Sequence, residues 1–125
     1  MKIEKLLLAI IGTLYLAFGL LFLIDPQFYA TKVSFPVLDT KGQIEIMAVY
    51  GGLQLVIGLA VIHGFYNDSL TEVAYLCMIS LAGFFLGRLI GVMTKGLEGD
   101  HLFYLIFESI LLSMSIYSYK KIGST

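Results

Sequence analysis

The chain has 125 residues, 58% hydrophobic and 14% charged, with a formal net charge of −1 and a mean hydropathy of +0.90. Soluble domains carry about a quarter charged residues, and a fold this small cannot hide so much apolar surface from water, so lipid is the expected solvent. The charge balance excludes nucleic acid as a partner, and the single cysteine, Cys77, excludes an intramolecular disulfide and a cysteine-rich metal site.

The first uncharged run, Leu6–Ile24, is long enough to cross a bilayer as a helix. It contains no clean small-residue cleavage site, so it reads as a transmembrane helix and not as a secretory signal. Thr13 and Tyr15 are its polar residues at depth, and Gly12 and Gly19 share one packing stripe. Asp25-Pro26 stops it, since proline lacks a donor and disfavours helix in the preceding residue. The connection from Asp25 to Gln43 is long and holds Phe28, Tyr29 and Phe35. It reads as an interfacial loop with aromatic anchors. The alternative is a lid lying over the bundle.

A second span is expected over Ile44–Tyr66, with Glu45, Tyr50, Gln54 and His63 as its polar residues and Gly51, Gly52 and Gly58 for packing. At about 100° per residue, Glu45, Gly52 and His63 fall on one side while Tyr50 and Gln54 point nearly opposite. Tyr50 and Gln54 lie deeper and are assigned to the interior; Glu45 and His63 sit near the two boundaries, within reach of water. Asn67-Asp68-Ser69 ends this span, and Thr71 with Glu72 can cap a third over Val73–Thr94. Lys95-Gly96 and Gly99-Asp100 turn the chain into a fourth, Leu102–Tyr119. The expected fold is all-α, a four-transmembrane-helix bundle running up-down-up-down as one integral membrane domain.

The two deep charges are Arg88 and Glu108, each inside an apolar run. An arginine at a helix centre costs about 2.5–3.5 kcal/mol on insertion, while each Leu, Ile or Phe returns roughly 0.3–0.6, so the third helix still inserts. Ionisable residues at such depth face the interior and pair. Arg88 and Glu108 are each ten residues from Glu98 in the turn between their helices, which places them at similar depth in a hairpin. They are expected to pair. Cys77, Ser80, Phe84, Arg88, Gly91 and Lys95 share one side of the third helix, and His101, Tyr104, Glu108 and Ser115 one side of the fourth. Gly83, Gly87 and Gly91 form a small-xxx-small face that lets another helix approach closely.

Other chemistry finds little support. His63 and His101 sit at opposite boundaries, where a solvated histidine is expected; heme would want them facing each other at one depth. Two ligand types do not make a metal centre. No P-loop, dinucleotide fingerprint or nucleophile elbow occurs. Neither metal nor cofactor is therefore expected, and a catalytic reading has only Glu108 to offer as general acid or base. Lys2, Lys5, Lys120 and Lys121 lie on one side of an even-span topology, against Lys32, Lys41 and Lys95 on the other. Basic residues favour the cytoplasm, so both termini are expected inside.

The run Glu45-Ile-Met-Ala-Val-Tyr50-Gly51-Gly52-Leu-Gln54, then Gly87-Arg88-Leu-Ile-Gly91, then Glu108, resembles a domain-of-unknown-function family of small bacterial four-helix membrane proteins, distantly similar to DoxX-like proteins. The resemblance covers essentially the whole chain and implies a four-helix fold in the bacterial cytoplasmic membrane. That family commonly has an arginine two residues after the glutamate, where this chain has Met47. Arg88 is thus the only deep cation. The link of DoxX-like proteins to quinone and sulfur redox chemistry implies an amphiphile-binding pocket.

From the residues themselves, a polar pocket is expected in the outer half of the bundle, built on Arg88, Glu108, Tyr50 and Gln54, with Glu45, Tyr104 and Ser80 as secondary members. The leading expectation is binding of a small amphiphile, a lipid or quinone. The alternative is a structural or accessory subunit, docking a membrane partner or a second copy, whose Arg88–Glu108 pair fixes helix register. A membrane isomerase or redox-associated enzyme comes third.

Overall fold

The computed structural model describes residues 1–124, which are almost entirely helical. Helix α1 spans Ile3–Ile24 and ends at Asp25. The same aspartate begins α2, Pro26–Lys32: its carboxylate accepts from Phe28 N at 3.2 Å, and proline takes the first helical position, where its missing N–H costs nothing. Asp39 then starts α3, Thr40–Ile46, by accepting from Gly42 N at 2.8 Å. Without a break, α3 passes into a π-helical segment, Met47–Leu53, and on into α4, Gln54–Tyr66. Together these make one long helix, Thr40–Tyr66. Helices α5, Leu70–Lys95, and α6, His101–Gly123, form the closing hairpin around Gly96, whose φ of +101° suits glycine.

Helix α1, the Thr40–Tyr66 helix, α5 and α6 are each long and apolar enough to cross a membrane, and the chain is a four-helix, multi-pass membrane protein. Exposed Leu86, Ile90, Phe103 and Ile106 then face lipid. Helix α1 packs between α4 and α6, while α5 packs on α6 and meets α4. One end of the bundle holds both termini; the other holds α2 and the α5–α6 turn.

Two apolar clusters hold the bundle. The larger lies toward the termini and joins Leu8, Ile11 and Tyr15 to Ile57, Val61, Cys77, Leu81 and Leu111. The smaller closes the other end, where Phe22, Ala30 and Ile46 pack with Tyr29, Val33, Phe35, Leu38 and Tyr50.

Several expectations change here. The Asp25–Gln43 connection is not a bare interfacial loop, because α2 turns Tyr29 inward onto Phe22 and only Phe28 stays half-exposed. The second spanning helix starts at Thr40, four residues early, because Asp39 caps it. Ser69, and not Thr71, precedes α5, with no side-chain cap. The close helix approach is made by glycines of the first and second spanning helices, as expected for that stripe, and not by those of α5. A Cβ on Gly58 would stand 2.7 Å from Leu16 N, and one on Gly19 would meet the Leu55 backbone. Among the described residues, Gly83, Gly87 and Gly91 have open space where their side chains would be.

Candidate functional site

Arg88 and Glu108 meet across the α5–α6 hairpin. Arg88 Nε donates to Glu108 Oε1, and Nη1 reaches His101 Nδ1 at 2.9 Å. A guanidinium has only donors, so His101 accepts here and carries any single proton on Nε2. The Tyr104 ring faces the guanidinium, 5.2 Å from Cζ, a distance suited to cation–π attraction. Three side chains of α6, at positions 101, 104 and 108, therefore hold one arginine of α5. Their spacing of three and four puts them on one face. Glu108 is 7% exposed, and its second oxygen, Oε2, is buried with no donor among the described residues.

This pair borders a cavity of about 130 Å³ between the two apolar clusters. Tyr50, Gln54, Arg88, Tyr104 and Glu108 supply its polar wall, with Tyr15 beside them; the remaining wall is apolar, including Phe18, Phe22, Phe84 and Phe107. The cavity is partly open. A second hollow, about 350 Å³, lies toward the α5–α6 turn against Arg88, Lys95, Glu98 and His101. Arg88 is part of both walls.

The π segment positions the second helix's contribution. Its i→i+5 bonding inserts an extra residue per turn, which appears in the burial pattern: Ile46 and Gly51 are buried five apart, followed by Gln54, Ile57 and Val61 at the usual spacing. Tyr50 lies against Phe22 and Phe35, with ring centroids 5.2 and 5.7 Å away. Gln54 is buried. Neither side chain hydrogen-bonds to another described residue, and both line the cavity. Gly51 packs on Leu23 of α1, and Gly52 has only ordinary contact with Met47 O.

Among the secondary candidates, Ser80 serves the site indirectly, through a 2.7 Å hydrogen bond with Tyr15 OH that ties α5 to α1. Tyr104 does more than line the wall. Its hydroxyl donates to Lys32 O at 2.6 Å and holds α2 down; Asp100 N, 3.4 Å from Ser34 Oγ, adds a second tie. Glu45 is exposed and stays outside the site, as does His63. Two residues at the cavity and its ion pair carried little weight in the sequence. His101 was expected to be solvated at a boundary, yet it bonds Arg88; its seven-residue spacing from Glu108 was the available signal. Tyr15 showed only as an isolated polar residue in the first helix.

Among the described residues, no three metal-binding side chains gather. No curated protein and no solved structure matches the chain. A family match covers residues 3–118, nearly its whole length, including every residue of the cavity wall. The chain belongs to the family described as Domain of unknown function (DUF4345).

Proposed function

We infer that the protein binds a small amphiphile, a lipid or a quinone, with its head group between the Arg88–Glu108 pair and Gln54. The observation that carries this reading is a cavity with a few convergent polar groups and a largely apolar wall, the usual character of a small-molecule site. Its volume sets the size of the guest. An apolar cavity of about 150 Å³ accepts a benzene ring, so 130 Å³ takes one ring or head group and leaves the tail outside. The DoxX-like resemblance points the same way. The protein would work in a bacterial cytoplasmic membrane with both termini inside, which sets the site in the outer half. Mass spectrometry of protein purified in mild detergent tests this reading: a lipid or quinone should be retained, and should be lost from a folded Gln54→Leu or Arg88→Leu variant. Empty wild-type protein across several detergents would refute it.

A second reading has its own support. The bare face at Gly83, Gly87 and Gly91 suits docking of a partner helix or a second copy, with Arg88–Glu108 only fixing the α5–α6 register. Under that reading Gly87→Leu abolishes association, and replacing both Arg88 and Glu108 by leucine leaves it intact. An enzyme would need Glu108 as acid or base, and unimpaired turnover in Glu108→Gln would end that possibility.

A further inference from the structure

We propose that the head group received at this site is an uncharged hydrogen-bond donor, a hydroxyl, taken up by the Glu108 carboxylate. The inference rests on the amphiphile-binding reading and narrows it to one head-group chemistry.

An arginine and a carboxylate can join by two parallel hydrogen bonds. Here they use one. Nε holds Oε1 while Nη1 is turned to His101, so Nη2 has no acceptor and Oε2 no donor among the described residues. An acceptor buried without a donor is costly, the more so when charged. The open fork asks for a group that both donates and accepts. A hydroxyl does both, giving its proton to the carboxylate and taking one bond from Nη2. Glu108 is a wall residue whose Oε2 is buried, and the terminal torsion of a glutamate is soft and two-fold, so rotation about it brings that oxygen to the guest.

Charge excludes the main rivals. Arg88 and Glu108 cancel, and no other charged residue lines the cavity. A carboxylate or phosphate head group would enter with its charge uncompensated and would stand against Glu108. An ether or ketone can accept from Nη2 but offers Oε2 nothing.

The test is a competition series on the full-length wild-type protein in detergent. A dansyl-labelled dodecyl amide is the displaceable probe; the competitors are 1-dodecanol, dodecyl methyl ether and ionised dodecanoate. Dodecanol is expected to displace the probe at about one-tenth the concentration that either rival needs, the effect of one hydrogen bond to a charged group. In Glu108→Gln the amide brings its own donor, and the preference for alcohol over ether should fall to about threefold or less. Equal displacement by alcohol and ether, or a lead for dodecanoate, would overturn the hydroxyl assignment while leaving amphiphile binding standing. A probe that does not bind at all would overturn that broader reading and this one with it. The wild-type series decides even where the variant fails to fold.

Discussion

Arg88 is held by three residues of one neighbouring helix, and the strength of that grip can be apportioned. Removing one partner of a buried ion pair strands the other and costs about 3–5 kcal/mol, whereas replacing both by apolar residues is near neutral. Arg88→Leu and Glu108→Leu are each expected to destabilise by that amount, and the double variant to recover most of it. Unfolding in mixed micelles of increasing denaturing-detergent content measures all three; additive losses would show that the two side chains are not coupled. The His101 contact is separate. His101→Phe keeps the bulk and removes the acceptor for Nη1, so it should cost about 1.5–3 kcal/mol in the same assay. A solvated boundary histidine would show almost no loss. At this scale the sequence was informative about the pair, because charge inside an apolar run is rare and spacing fixes depth. It put His101 on the face of Glu108, seven residues before it, but a position near the membrane boundary does not say that α5 brings Arg88 to it.

Helix packing separates two glycine stripes that look alike in the sequence. The stripe on α1 and α4 is crowded: Gly58 lies against the α1 backbone at Leu16, and Gly19 against Leu55. The stripe on α5 at Gly83, Gly87 and Gly91 is bare. Gly58→Ala forces two helices apart and should destabilise by about 1–3 kcal/mol. Gly87→Ala meets nothing and should be neutral or slightly stabilising, since alanine is the better helix former by up to about 1 kcal/mol. Thermal unfolding of the two variants side by side checks this. A Gly87→Ala loss equal to that of Gly58→Ala would mean that a neighbour outside the chain covers the α5 face. The four spans were legible because composition and length mark a membrane helix unaided. Which glycines make the contact was not, since periodicity finds faces and cannot say which face meets which. The π segment was hidden for a related reason: Tyr50-Gly51-Gly52 is ordinary helical sequence, and only packing against Phe22 and Leu23 fixes the wider turn.

For the whole molecule, the two ends of the bundle are closed by different means. Leu8, Val61, Ala74 and Cys77 fill the bundle toward the termini, and α2 covers the opposite end through Tyr104 and Ser34. The cavity lies between them, nearer the α2 cap. Its functional meaning depends on which side of the membrane that cap faces. The terminal helices bring Lys2, Lys5, Lys120 and Lys121 to one side, against Lys32, Lys41 and Lys95 on the other, and the Asn67–Glu72 turn adds no lysine. The termini are therefore expected in the cytoplasm. Native Cys77 is fully buried, so single cysteines placed at exposed positions report on their own. In intact cells an impermeant maleimide should label Lys41→Cys and Lys95→Cys and spare Lys2→Cys and Lys121→Cys; permeabilised cells should label all four. The reverse pattern would turn the α2 cap, and with it the end of the bundle nearer Arg88, toward the cytoplasm.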